Sequence, residues 1–556
     1  MIAIIQSSEE LSFIKNRYPE LPTILALNLE VAAYCKLNGI KFIFPFEKKN
    51  YNNITKEILL ASKNFLENIN FQNFKYSFLI NEIKAILRYK LNQITFLIET
   101  VSQINSEYKK IIYTDYFSES KLWYTKNFIN IEDALNILDL KNLEKLNCKK
   151  KFNLSKRQDL YAYKLKGLKY KKEKKIIFNN AGYNFKRIIS YLFFKKIKIA
   201  IPKENLSFFK KLIFNFIGFE LYDFKKTNIK ISNEIPNLEI NFSYKNHDLT
   251  EVLKNEFKSS KFYLGDLVEK YKAILNYYSS SNIKLTISNS NRELGAALIE
   301  ASNKKKIQTM LISHGTITRS YDQFDKIYKE YIAEGVFLGN SNIKTLQSKI
   351  CKKSLETLNV KGTTVETGNL VFSENVNNTT KNKNIITYAV TSKRLTALQI
   401  HGVEYFFEFY RNLEALNEFS KNKEYRIIVH LHPGIKNNKQ NFKKIFKNLD
   451  FKTGDISTSL KKSFLTLSYS STVIEDSLYN KVPVILLDLH KKKYIHFESE
   501  TNPEKLDKAL YYIDNISDLR KCVQSVRQSK NINFNQYIYD RPSKTNIANL
   551  FMNYLK

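Results

Sequence analysis

Short apolar, β-branched runs alternate along the chain with longer stretches in which apolar residues recur at spacings of three and four. Residues 2–5, 42–44 and 111–113 predict strands, while 54–105, with Phe78, Leu79, Ile83, Ile86 and Leu87 on one face, predicts mainly helix. Between about 118 and 280 the pattern blurs, and only 175–178 and 197–201 stand out as strands. From Lys284 it sharpens into a strand at 285–288, a helix at 293–303 and a strand at 309–313 that runs straight into His314-Gly315. A polar, Asn-rich stretch at 373–384 reads as a linker. Beyond it come a strand at 385–390, a helix from about Ala397, a strand at 426–431, a helix around Asn441, a strand at 464–468, a helix from Thr472 and a strand at 482–487. Such alternation predicts an α/β fold with mostly parallel strands, arranged as two Rossmann-like domains. The expected division is an acceptor-binding domain at 1–375 with helical insertions, a nucleotide-binding domain at 376–535, and a helix at 536–556 crossing back to the first domain.

Composition narrows the class. In 556 residues, 43% hydrophobic and 26% charged, neither general disorder nor a multispan membrane protein fits. The most apolar stretch, 188–201, is interrupted by Lys195, Lys196 and Lys198, short of the ~18 residues a span requires. The opening turns polar at Gln6 and acidic at Glu9, unlike a signal peptide. Cys35, Cys148, Cys351 and Cys522 lie too far apart for a CxxC site or a disulfide framework, which suits the reducing cytoplasm. Lys and Arg number 89 against 54 Asp and Glu, a formal charge of +35 that would attract phosphates, anionic lipid or nucleic acid. AT-rich codon usage produces the same Lys- and Asn-heavy, Gly-poor composition. The basic runs are scattered and come with no Arg-Gly repeats, zinc-finger or helix-turn-helix pattern, so no nucleic-acid partner is expected. Peripheral contact with the inner face of an anionic membrane is.

Parallel α/β sheets bind ligands at the carboxyl ends of their strands, so the residues following each strand carry the chemistry. The strand at 426–431 is followed by His432-Pro433-Gly434, where proline fixes the turn and presents the imidazole. The strand at 464–468 is followed by Tyr469-Ser470-Ser471-Thr472 and a helix carrying Glu475. Hydroxyls and backbone N–H groups there suit an anion, although an ordinary Ser or Thr N-cap accounts for part of the pattern. Thr391-Ser392-Lys393-Arg394 follows the strand at 385–390 as a hydroxyl and cation cluster suited to phosphate, or as a charged helix start. Ser313-His314-Gly315-Thr316 offers an imidazole beside a tight glycine turn. No Asp-x-Asp occurs to hold a metal, and Asp322 and Asp325 sit in a polar turn expected at the surface, so metal-independent chemistry is expected, with no cofactor.

The order of these features, a strand ending in His-Gly, one ending in Gly368-Asn369, then His-Pro, then Ser-Ser-Thr with a following Glu and Lys481-Val482-Pro483-Val484-Ile485, resembles bacterial GT-B-type transferases that build surface polysaccharides. These include capsule-type sialyl- and Kdo-transferases and teichoic-acid glycerophosphotransferases. The likeness covers roughly residues 284–490. It implies that His432, Ser470 and Ser471 hold the donor phosphates, that Glu475 holds the ribose, and that His314 faces the acceptor as a candidate base, while Ser392, Lys393, Arg394, Pro433 and Thr472 are the further nucleotide-binding candidates read from the residues themselves. Asp115, just after the strand at 111–113, is the alternative base. The chain departs from the sialyltransferase pattern in lacking an Asp/Glu-Asp/Glu-Gly triplet. The resemblance implies a glycosyltransferase with a nucleotide-sugar donor, CMP-linked, and a glycan or lipid-linked acceptor. Transfer of glycerol phosphate from CDP-glycerol, and a non-catalytic protein that docks anionic polymers, remain the alternatives.

Overall fold

The computed structural model describes residues 1–46, 51–115, 131–148, 159–168, 173–180, 185–194, 197–204, 206–232, 235–313, 317, 319–371, 382–390, 397–399, 402–404, 406–469, 471–493, 495–540 and 544–555. Three largely parallel sheets follow one another along the chain. The first holds β1 (Ile2–Ile5), β2 (Thr23–Ala26), β3 (Phe42–Ile43), β4 (Ile111–Thr114) and β5 (Leu143–Leu146), in the order β3-β2-β1-β4-β5. The second contains β6 (Leu160–Lys166), β7 (Lys175–Phe178), β8 (Lys198–Pro202) and β9 (Glu220–Ile231). A small hairpin of β10 (Ser243–Tyr244) and β11 (His247–Asp248) intervenes before its remaining strands, β12 (Ile283–Ser288), β13 (Gln308–Leu311), β14 (Ile343–Leu346) and β15 (Thr363–Glu366). Its order is β15-β14-β13-β12-β7-β8-β9-β6, with β6 antiparallel to β9.

The third sheet starts with β16 (Asn382–Tyr388) and, after a hairpin of β17 (Ala397–Gln399) and β18 (Gly402–Glu404), adds β19 (Arg426–His430), β20 (Leu449–Lys452), β21 (Ser463–Ser468), β22 (Val484–Leu487) and β23 (Leu510–Ile513). All six strands run parallel in the order β20-β19-β16-β21-β22-β23. The first and third sheets begin at their centres, wind outward on one side and return to the other, and in the second the same path starts at β7 after the edge strand β6, which leaves a topological switch point beside β1, β7 and β16. The second and third sheets are the paired Rossmann-like, GT-B-like arrangement expected from the sequence. The five-stranded first sheet is an addition, folded from the opening residues of the span expected to form one domain.

One element differs from expectation. Where a helix was anticipated from Ala397, the chain forms the β17–β18 hairpin, and the helix begins at Phe406 (Phe406–Phe419). The hairpin lies against helices Tyr51–Glu67 and Ser77–Glu107 of the first unit, a contact hundreds of residues away in sequence that local propensity does not report.

Helix Ser77–Glu107 is buried on nearly every face and packs along helix Thr250–Tyr278. Its Arg88, fully buried, donates to both carboxylate oxygens of Glu334, at 3.3 and 2.6 Å, and stacks over the Tyr331 ring at 3.8 Å. Arg292 joins the same carboxylate at 3.1 Å. Despite burial, the two guanidinium groups hold Glu334 below the usual carboxylate range. Phe42 and Phe44 meet Phe406, Phe407 and Tyr410 edge-on or tilted, so the first unit also grips the third. Helix Lys544–Met552 lies on helix Lys186–Phe194, with Ile547 and Phe551 in the core of the second sheet.

Candidate functional site

Because the third sheet is entirely parallel, the residues that follow its strands share one rim. β16 lies between β19 and β21, so the turns after those two strands flank it on either side. Ser468 at the end of β21 donates its hydroxyl to the Ala389 carbonyl at 2.7 Å, which fixes the spacing of the strand ends at the switch point.

His432 is exposed on this rim and caps the turn Pro433–Asn438. Its Nδ1 accepts the Gly434 N–H at 3.1 Å. In the neutral tautomer that this bond favours, the ring proton sits on Nε2. A Cβ at position 434 would lie 3.3 Å from that Nδ1, tight enough to press on the ring, so glycine suits this contact.

Across β16, the Ser471 hydroxyl accepts the Val473 N–H at 3.3 Å at the start of helix Val473–Tyr479, and the Thr472 side chain makes no capping bond. Glu475 is 1% exposed, and its Oε1 accepts the Ser348 hydroxyl. Ser348 caps helix Lys349–Leu355 just beyond β14, and the Tyr479 hydroxyl donates to the Gln347 carbonyl beside it. Glu475 thus sits in the seam between the second and third sheets. Asp115 is on the rim of the first sheet, where its Oδ1 accepts the Cys148 N–H at 2.7 Å and closes the turn after β5. The structure therefore brings His432, Pro433, Ser471 and Thr472 to one rim and leaves Asp115 on another sheet. His314, Ser392, Lys393, Arg394 and Ser470 lie outside the described residues.

The switch point of the second sheet carries a polar cluster that sequence reasoning missed. Asn179 and Asn180, after β7, both donate to Asn289 Oδ1 after β12, at 2.9 and 2.7 Å. Four residues on, Glu293 opens helix Glu293–Lys304 in the left-handed region, with φ of +52°, a strained conformation for a side chain with a Cβ. Burial first, and the Glu82 carboxylate second, push its carboxyl up to about 7. Its Oε1 is buried and has no hydrogen-bond partner. A carboxylate poised near neutral pH at a sheet rim has the character of a general base. Gly295 makes the turn feasible, since a Cβ there would lie 2.3 Å from the Ser290 carbonyl oxygen. The only sequence signal was an acid in the first turn of a helix directly after a strand.

A cavity of about 320 Å³ opens where helices Tyr51–Glu67 and Gln323–Glu334 meet the segment after β22. Lys491 and Lys493 line it in left-handed conformations, and Lys493 lies 4.6 Å over the Tyr321 ring. Asp322 caps its helix and pairs with Lys56 at 3.4 Å. Asp325, expected at the surface, is largely buried and bound to Lys329 at 3.2 Å, because helix Tyr51–Glu67 and Lys491, Lys492 and Lys493 lie over that turn. Among the described residues no group of three or more His, Cys, Asp or Glu side chains is placed to hold a metal ion.

No protein-family model matches the chain, and no curated protein does. Solved structures of similar shape include the UDP-GlcNAc 2-epimerase from Methanocaldococcus jannaschii in complex with UDP-GlcNAc and UDP, 15% identical with a TM-score of 0.40 over 68% of this chain and 98% of that one. S. aureus TarM in complex with Fondaparinux, alpha-GlcNAc-glycerol and UDP is 12% identical, TM-score 0.39, over 69% of this chain and 100% of that one. The wall teichoic acid polymerase TagF is 12% identical, TM-score 0.35, over 68% of this chain and 88% of that one. At such identity they assign no residue a role.

Proposed function

We propose that the protein is a glycosyltransferase that moves a sugar from a nucleotide-activated donor, CMP-linked, to a surface polysaccharide or lipid-linked glycan. The observation that carries this reading is the place of His432, its imidazole oriented by the Gly434 N–H, on the rim of a sheet whose strand order forms a nucleotide-type switch point. An Nε2–H there would donate to a donor phosphate and strengthen as charge develops on the departing phosphate. Ser392, Lys393 and Arg394 after β16 and Ser470 and Ser471 after β21 would complete the grip from the two sides of the switch point. The acceptor would approach from the second sheet, with its hydroxyl proton taken by His314 or Glu293. The charged lining of the cavity beside Lys491 and Lys493 would receive the acceptor's polar groups.

The test is thermal stabilisation by CMP, CDP, UDP and GDP, since a ligand that binds only the folded state raises its stability by ~2.7 kcal/mol at a hundredfold excess over Kd. The expected outcome is a larger shift for CMP or CDP than for UDP or GDP. Equal shifts for all four, or none, would remove the cytidine donor. Transfer should persist in EDTA, because His432 and the basic residues supply the charge stabilisation. Loss of activity that Mg²⁺ restores would contradict that assignment.

A further inference from the structure

Helix Phe208–Phe216 reads FFKKLIFNF, and none of its residues is buried. Phe208 is 70% exposed, Phe209 75%, Leu212 51%, Ile213 56% and Phe216 93%. Positions 208, 212 and 216, with 209 and 213 beside them, fall on one face of a helix, so these side chains form a continuous outward stripe. The opposite side anchors the helix: Phe214 packs on Phe219, ring centroids 5.5 Å apart, at the start of β9. Apolar side chains thus point outward as well as inward, unlike the usual amphipathic order of an apolar inner and a polar outer face. An apolar patch of this kind on a surface marks a site of contact with another apolar phase.

The charge around the stripe identifies that phase. Residues 198–231 carry seven lysines against three acids, and one of the acids, Glu220, is used internally by Lys175 at 2.8 Å. Lys203 and Lys210 are exposed beside the stripe, and Lys225 and Lys226 are exposed along β9, while Lys230 is paired with Asp159 at 3.1 Å. A second copy of the chain would bring the same lysines face to face, which like-charge repulsion opposes. A nine-residue helix is far short of the ~20 residues that span a bilayer, so it can only lie in the interface.

We propose that helix Phe208–Phe216 is an interfacial anchor. It seats its phenylalanine stripe among the headgroups of an anionic bilayer, with the flanking lysines on the lipid phosphates. Apolar burial and electrostatic attraction act together in such helices, and neither alone holds firmly. The anchor does not depend on the transfer chemistry.

Flotation of the full chain with vesicles of phosphatidylcholine, alone or mixed with phosphatidylglycerol, tests it. Wild type should float with the mixed vesicles and much less with the neutral ones. The variant Phe209→Ser/Phe216→Ser should lose roughly tenfold or more of that partition, and Lys210→Glu/Lys211→Glu should lose its salt-sensitive part. Phe209, Phe216 and Lys210 are exposed and Lys211 is half-buried, so an unchanged melting temperature confirms that both variants fold. Phe216→Trp should show a blue shift and quenching by brominated lipid above the wild-type background. Unchanged flotation of the serine variant, or flotation of Phe216→Trp without quenching, would overturn insertion. So would failure to bind vesicles alongside a solution dimer that the serine variant dissolves.

Discussion

The backbone N–H of Glu293 donates to Glu82 Oε1 at 2.8 Å, which sets two carboxyl groups side by side where helix Ser77–Glu107 covers the switch point of the second sheet. Burial raises both, and the coulombic repulsion of Glu82 adds to the shift at Glu293. If Glu293 takes the acceptor proton, it must be ionised to act, so turnover should climb with pH through about 7. Glu293→Gln should then lower turnover by roughly 10²- to 10⁴-fold, abolish that limb of the profile and leave nucleotide affinity intact. Turnover and its pH profile on the variant check this. A variant with full activity and a higher melting temperature above pH 7 would show that the carboxyl is only buried, not used.

The two histidines separate by what they would touch. His432→Ala should lower turnover and weaken nucleotide binding together, because a donor phosphate is present in both the ground state and the transition state. His314→Ala should cost turnover by roughly 10²- to 10⁴-fold with nucleotide affinity nearly intact. Nucleotide titration and turnover on both variants decide it. A stable and fully active His314→Ala enzyme would move the base to Glu293.

How far these residues could be read in advance follows from burial. β4, β19, β21 and β22 are covered on both faces, so their continuous apolar runs were plain in the sequence, and with them the strand-end positions of His432, Ser471 and Asp115. β9 was hidden because it leaves the core after Tyr222 and continues as an exposed, lysine-rich arm paired with β6. Glu293 was hidden for a different reason, since its burial comes from a helix more than two hundred residues earlier. The stripe on Phe208–Phe216 has ordinary amphipathic spacing, and only the fold decides which face points outward.

Ser348 and Glu475 join the second and third sheets, so the bond between them should matter to more than nucleotide binding. Ser348→Ala removes the hydroxyl that Glu475 Oε1 accepts and the cap of helix Lys349–Leu355. A loss of roughly 1–3 kcal/mol in a denaturant titration is expected. Glu475→Gln keeps an acceptor oxygen for Ser348. If the carboxylate also reaches a donor ribose, this variant should stay stable while its nucleotide affinity falls, and unchanged affinity would restrict Glu475 to the seam.

The dependence of stability on pH follows from groups that titrate in opposite directions. Glu10 is fully buried, and burial raises it to about 7 against the bonds it accepts from Thr114 and the Gln6 and Ser7 N–H groups. Its contribution is complete below its unfolded value of about 4.5 and is lost as pH rises through 7. His490 and His496 are lowered to about 4 and about 3, chiefly by burial, so their contribution is present above 6.5 and is lost as pH falls toward those values. Between about pH 4.5 and 6.5 the unfolded chain holds extra protons on the two histidines, while the folded chain holds one each on Glu10 and Glu293, so the terms offset each other. Glu10→Gln removes one opposing term and retains an oxygen for the two backbone donors. Its unfolding free energy should rise more steeply with pH across this window than that of wild type, by up to ~1.4 kcal/mol per pH unit. Replacing His496 with Leu should flatten the rise by a similar amount. Urea titrations at several pH values measure both slopes, and a Glu10→Gln slope equal to or shallower than wild type would show that Glu10 is ionised in the folded protein.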